Sequence, residues 1–183
     1  MRPRILVLDE PTASMDAEAE AEVFQRFRSL ASSRMGIVIS HRFSTVRKTK
    51  EDMLKSTGMF LDQGITQLKD KLGPINWQFP ATRKFDAEYF GTFLSVLPKE
   101  KDGLKLRHAL EVRGSGFDDP KFHDLLTKHG ATVVYAEDDE FPKVRHEGAS
   151  FAVARLMQSQ ADEPTGYAKK EIDRFAKLAT GWA

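Results

Sequence analysis

Short runs of consecutive apolar residues alternate along this chain with longer stretches whose apolar positions recur every three or four residues. The short runs are "RILVLD" at 4–9, "GIVIS" at 36–40, "INWQF" at 75–79, "RHALEV" at 107–112, "ATVVY" at 131–135 and "SFAVARL" at 150–156. Each is bounded by charge, glycine or proline and rich in branched side chains, which is the pattern of a strand buried on both faces. Between them the helical period predicts a helix from about Asp16 to Arg34, with Val23, Phe24, Phe27, Leu30 and Ala31 inward and Glu18, Glu20 and Glu22 in its first turns. A second is expected from about Glu51 to Leu72, with Leu54, Leu61, Ile65, Leu68 and Leu72 on one face and Gly73–Pro74 as its stop. Asp86 caps a third, where Phe85 and Phe90 are placed as a hydrophobic staple. The fourth has Asp119 as cap, Pro120 at its first position and Gly130 as stop. The last runs from about Tyr167 to Leu178, with Ile172, Phe175 and Leu178 inward. About six strands alternating with helices make an α/β chain with a mainly parallel sheet.

Composition narrows the function classes. The 183 residues carry a formal net charge of +1, so no overall field favours nucleic acid or an anionic membrane surface. The densest basic stretch, "RFSTVRKTK", is too short for a phosphate-tracking face. There is no cysteine, which removes disulfides, thiolate metal sites and cysteine nucleophiles and suits a cytoplasmic setting. No apolar run reaches the ~20 residues that span a bilayer. The histidines form no ligand pattern: His123 and His129 are six apart on one helix, and His108 lies within a strand. "RGSGF" has the wrong spacing for a nucleophile elbow.

Two carboxylates at the end of a buried strand require compensation. Asp9 is placed to hold a magnesium ion, Glu10 to orient an attacking water, and His41, ending the next parallel strand, to contact a γ-phosphate. Helix capping is the plainer role for such an acidic pair. The whole run "ILVLDEPTASMD" followed by "IVISHRFSTVR" resembles the Walker B, D-loop and switch-histidine segments of ATP-binding cassette (ABC) transporter ATPases of the exporter type, over residues 4–47. The resemblance implies Asp9 for Mg²⁺, Glu10 as catalytic carboxylate, Ser14 to Asp16 as D-loop and His41 as switch histidine, with Mg-ATP as cofactor. No "GxxxxGK[ST]" and no "LSGGQ" occur, so hydrolysis requires a phosphate loop from another chain.

In parallel α/β proteins chemistry gathers at the C-terminal ends of strands. Those ends carry Gln78, Glu111, Arg113, Asp138, Asp139 and Arg155. Alternating carboxylates and guanidiniums suit a polar or anionic ligand, with arginine as a bidentate clamp; equally, the charges can pair with one another and close the end of the sheet. Residues from about 58 to 183 resemble the YecE-like family of TIM-barrel domains of unknown function, through "LGPINWQFPATRKFDAEYF", "LRHALEVR", "VYAEDDEFP", "ARLMQSQADEPTGY" and the closing "WA". The resemblance implies the later part of a barrel, about four of its eight strands.

The expected organisation is therefore an ABC ATPase fragment over 1–50 and a partial barrel over 51–183, joined at the polar stretch "RKTKED". Three functional readings follow. One is a barrel piece binding a polar or anionic small molecule at its strand ends and self-associating through open sheet edges. Another is an ATPase half-site working as part of an ABC transporter subunit. The last is a fusion or mis-joined reading frame with no selected function.

Overall fold

A computed structural model describes residues 5–9, 23, 25–27, 29, 35–40 and 49–182. Six strands form one parallel sheet: β1 (Ile5–Asp9), β2 (Met35–Ser40), β3 (Leu72–Gln78), β6 (His108–Glu111), β7 (Thr132–Glu137) and β8 (Val153–Leu156), adjacent in that order. A two-stranded antiparallel ribbon, β4 (Glu100–Lys101) with β5 (Leu104–Lys105), stands apart. Its two-residue turn is Asp102–Gly103, both at positive φ (51° and 76°), the backbone that Asp-Gly supplies in tight hairpins. The ribbon adds two strands to the six that the apolar runs predict.

The β1 and β2 backbones continue the sheet: β1 pairs with β2 from Ile5↔Met35 to Asp9↔Ile39, and β2 pairs with β3 from Gly36↔Leu72 to Ser40↔Trp77. Helical backbone is described at 23, 25–27 and 29, and Phe27 packs against the main core. The rest of the helix expected over 16–34, and Glu10, Ser14, Asp16 and His41, lie outside the described residues.

The helix expected over 51–72 divides. Its first part is α1 (Lys50–Leu61), closed by a reciprocal Thr49–Asp52 capping box. Gly64, at φ 88°, turns the chain out of register, and a 3₁₀ segment (Ile65–Lys71) leads straight into β3. Leu54 is therefore not on the buried stripe; it is 57% exposed, while Met53, Thr57, Phe60 and Leu61 are buried. Gly73 and Pro74 do not stop a helix but lie inside β3. The register with β2 skips there, two residues of β3 opposing one of β2, and a bulge accommodates a residue without an N–H.

The next two helices follow the sequence closely. Asp86 accepts from the Tyr89 amide at 3.0 Å to cap α2 (Ala87–Val96), and the Phe85 and Phe90 rings meet with centroids 6.0 Å apart. Asp119 caps α3 (Pro120–His129) through the Lys121 amide at 2.8 Å, and Gly130 ends it at φ 68°.

The sheet has two unlike faces. On one, Ile75, Trp77, Phe79, Leu110, Val112 and Val133 meet α1, α2 and α3 in the main core. Trp77 is fully buried, edge-on to Phe60 and Phe93, and donates Nε1–H to His108 Nδ1 at 3.0 Å. His108 Nε2 in turn donates to the Pro98 carbonyl at 2.8 Å, which fixes a neutral tautomer; burial lowers the His108 pKa. On the other face, Asn76, Gln78, Ala109, Glu111, Val134, Ala136, Val153 and Arg155 share register rows. Among the described side chains, a small apolar cluster lies there, Ala109, Val134 and Val153 with Phe151. The strands β3, β6, β7 and β8 curl into a half-barrel with this face concave, so that a β8 side chain reaches one on β6.

The last helix, α4 (Lys169–Thr180), departs from expectation. None of its side chains is buried, and Ile172 is 39% exposed. Edge contacts and ions hold it instead: Tyr167 meets Phe175, and Arg174 reaches back to β7. No helix among the described residues is long and apolar enough to cross a membrane.

Candidate functional site

Glu111 is the last residue of β6 and fully buried on the concave face. Such a carboxylate is tolerated only when hydrogen-bonded and paired. Arg155 Nη1 donates to both of its oxygens, at 2.7 Å to Oε1 and 2.5 Å to Oε2. Arg113 adds Nε and Nη2 to Oε1 at 3.1 and 2.8 Å, and Asn76 Nδ2 donates to Oε2 at 2.7 Å. Burial alone would raise the Glu111 pKa; the donors from Arg155, Asn76 and Arg113 outweigh it and hold the carboxyl below its ordinary range.

Alternation along β3 brings Asn76 and Gln78 to this face, and Gln78 stands beside Glu111 in register. Among the described residues, two guanidiniums face this one carboxylate, an excess of one positive charge. Arg155 spends only Nη1 on Glu111; its Nε and Nη2 have no partner among the described residues, and the side chain is 30% exposed. Asn76 Oδ1 is buried without a hydrogen bond. Arg113 lies 4.9 Å from the Phe141 ring centroid, so the loop after β7 borders the site. The cluster thus offers donors on a rigid strand rim, one unused acceptor and an apolar wall.

Of the strand-end residues singled out in the sequence, Gln78, Glu111, Arg113 and Arg155 come together. Asp138 and Asp139 stand apart: Asp138 Oδ1 accepts from the Glu140 amide at 2.8 Å, and Asp139 is exposed, 3.7 Å from Lys143. The Asp9 backbone ends β1 in the register row of Ile39 and Asn76.

Glu137 is the residue that sequence reasoning passed over. It ends β7 on the opposite face, nearly buried, and accepts from Tyr135 Oη at 2.5 Å and Lys143 Nζ at 2.7 Å, with Arg174 Nη2 3.2 Å away. Burial raises its pKa, and Lys143, Tyr135 and Arg174 together overcome that and bring it down to about 2. It directly precedes Asp138 and Asp139 in the sequence, but its cationic partners lie 6 and 37 residues away. It ties α4 and the β7–β8 loop to the sheet.

The sequence matches the family described as "Protein of unknown function DUF72" over residues 17–183. The chain belongs to the DUF72 family. A DUF72 protein of Thermotoga maritima superposes with a TM-score of 0.65 at 18% identity, covering 97% of this chain and 72% of that one. A DUF72 protein of Enterococcus faecalis gives 0.54 at 14% identity, covering 93% and 71%. These likenesses concern the fold. Local similarity also links this DUF72 chain to ABC transporters. It is 39% identical over 62 residues to ABC transporter B family member 24, mitochondrial, of Arabidopsis thaliana, covering 34% of this chain and 9% of that protein. It is 36% identical over 62 residues to the uncharacterized ABC transporter ATP-binding protein YknV of Bacillus subtilis, covering 34% and 10%. The chain spans about a tenth of the length of these relatives.

Proposed function

We propose that this DUF72 chain binds a small molecule through an anionic group at the concave strand rim, with Arg155 as the principal contact and Arg113, Gln78 and Asn76 around it. One observation carries the reading: Arg155 is oriented by the buried Glu111, yet among the described residues its Nε and Nη2 meet no partner at a part-exposed rim. A guanidinium held by a carboxylate is pre-organised, so its remaining donors lose little entropy on meeting a ligand carboxylate or phosphate. The excess of guanidinium over carboxylate supplies the matching charge. The test is ¹⁵N NMR of the arginine Nε–H signals during titration with small carboxylates and sugar phosphates. The Arg155 signal is expected to shift saturably with at least one of them; a signal unmoved by all of them refutes the reading.

The local similarity to ABC transporters supports a second reading, an ATP half-site. There Asp9 holds Mg²⁺, Glu10 orients water, Ser14 and Asp16 belong to the D-loop and His41 meets the γ-phosphate, with the phosphate loop supplied by another chain. Mg²⁺-dependent ATP binding that needs such a partner chain, and that survives Glu10→Gln while hydrolysis does not, distinguishes this reading from the first.

A further inference from the structure

Two histidines far apart in the sequence, His123 on α3 and His146 in the loop between β7 and β8, meet in the fold and share no residue with the Glu111 site. Their ring planes differ by only 13°, the ring centres are 5.5 Å apart and the two Nδ1 atoms 3.3 Å apart. Centres so much farther apart than the facing nitrogens mean that the rings meet edge to edge, nitrogen toward nitrogen, rather than lying one on the other. One Nδ1 therefore donates and the other accepts. At the outer ends, His123 Nε2 is 3.7 Å from Asp118 Oδ1, and His146 Nε2 is 3.4 Å from Thr127 Oγ1, one turn along α3 from His123. A single polarity satisfies the whole row: the Thr127 hydroxyl donates to His146 Nε2, His146 Nδ1–H donates to His123 Nδ1, and His123 Nε2–H points toward Asp118.

His146 stands in a segment with few other ties. The buried Val144 anchors it to the main core on one side, and Phe151, packed on the small apolar cluster of the concave face, anchors it on the other. Between these anchors Arg145, Glu147, Gly148 and Ser150 are exposed, and among the described residues no backbone hydrogen bond ties 145–150 to the rest of the chain. The imidazole pair is thus the polar fastening of this segment among the described residues. The same segment forms one wall of a cavity of about 510 Å³, bounded elsewhere by Thr132 and Tyr135 of β7 and by Trp182 beyond α4.

Titration acts on this fastening directly. With one added proton, an imidazolium faces a neutral ring and the Nδ1–H still finds a lone pair. A second proton sets N–H against N–H and charge against charge across 3.3 Å. Asp118 is the acid within ionic reach of the pair, and its side chain is 94% exposed, so solvent screens it. The charged sequence neighbours of the two rings, Asp124 on α3 and Arg145 and Glu147 in the loop, are exposed as well, and the other close neighbour of His123 is the apolar Phe122 ring. We infer that His123 and His146 form a pH-operated latch, which holds residues 145–150 against α3 at neutral pH and releases that wall of the cavity when both imidazoles are charged. Burial, and then the charge of His123, hold the His146 pKa below its ordinary 6.5. His146 thus takes up a proton more readily once the segment is free, so the closed form is fully favoured above about pH 6.5 and loses ground as pH falls below it.

The test is an NMR titration of the full chain from about pH 7.5 to about pH 5, reading the imidazole signals of both histidines and the ¹H–¹⁵N NOE of the amides over 145–150. The two imidazoles are expected to titrate in two steps about one pH unit or more apart. The NOE over 145–150 is expected to fall, and the Trp182 indole signal to shift, with the lower step, while the amides of α1 and α2 stay still. His123→Gln removes the second titrating ring, so His146 is expected to titrate in one step and the NOE to lose its pH dependence. Equal midpoints for the two rings, no second step down to about pH 5, or an NOE that does not follow that step overturns the inference. Loss of the α1 and α2 signals in the same step, which is global unfolding, overturns it too. The wild-type curves decide the matter by themselves, so the inference stays refutable even if the variant does not fold.

Discussion

Replacing Glu111 by glutamine tests whether the charge at the strand rim holds this half-barrel together. The side chain keeps its shape and one acceptor but loses the charge, and its new NH₂ group faces donors of Arg155 or Arg113. Removing one partner of a buried ion pair costs about 3–5 kcal/mol when the remaining charge is stranded. Here the stranded groups are 30% and 21% exposed and recover some hydration, so the low end, about 3 kcal/mol, applies. With about 2.1 cal/mol/K of unfolding entropy per residue over 183 residues, that lowers Tm by about 8 °C. Arg155→Met leaves Glu111 with Asn76 and Arg113, so it loses charged hydrogen bonds without stranding the carboxylate, about 1.5 kcal/mol or roughly 4 °C. The double variant is expected to fall well short of the sum, because the two residues share one interaction. Thermal unfolding at neutral pH, followed by circular dichroism and by tryptophan fluorescence, reads all three. A Glu111→Gln shift below about 2 °C, or full additivity in the double variant, would show that the rim charges are solvated and do little for the fold.

Gly114→Ala places a methyl 2.0 Å from the Arg83 carbonyl, and backbone cannot yield as a flexible side chain does; a loss of about 1–3 kcal/mol is expected in urea unfolding, with chemical-shift changes concentrated over residues 81–83. The Glu137 pKa of about 2 lies below the ordinary 4.5, so its ion cluster contributes stability that is full above about pH 4.5 and is lost as pH falls toward 2. Glu137→Gln is therefore expected to lower stability at neutral pH and to flatten its fall across that window; an unchanged slope between pH 4.5 and 2 would remove Glu137 from the acid response.

What the sequence revealed was mostly what neighbouring residues decide. Asp86 and Asp119 act within a turn of their own positions, and the Phe85–Phe90 staple spans one turn, so these features were legible. The strand-end rule found Gln78, Glu111, Arg113 and Arg155 because a parallel sheet aligns the ends of its strands. The break at Gly64 was hidden, because leucines at helical spacing run across it and only the fold shows that the chain must turn there to enter β3. Gly73–Pro74 reads as a stop in one dimension and as a bulge once β2 lies alongside. The Asp102–Gly103 hairpin carried its own signal, but its strands are too short to show alternation. Glu137 was missed in favour of the adjacent acids, since only tertiary contacts bring Lys143 and Arg174 to it. The apolar stripe of α4 shows where burial is expected, not whether anything in these residues supplies it.

The bias of the sheet toward one face has a consequence for how such a protein can change over time. Trp77 belongs to the packed interior, and its immediate neighbours Asn76 and Gln78 belong to the polar concavity. A substitution at Gln78 changes the polar concavity without entering the aromatic layer beneath it. Successive positions on β3 thus answer to separate surroundings, the polar concavity on the even numbers and the packed core on the odd ones. On the binding reading proposed above, new ligand preferences can accumulate on the even positions of this strand without reopening the core that keeps it in place.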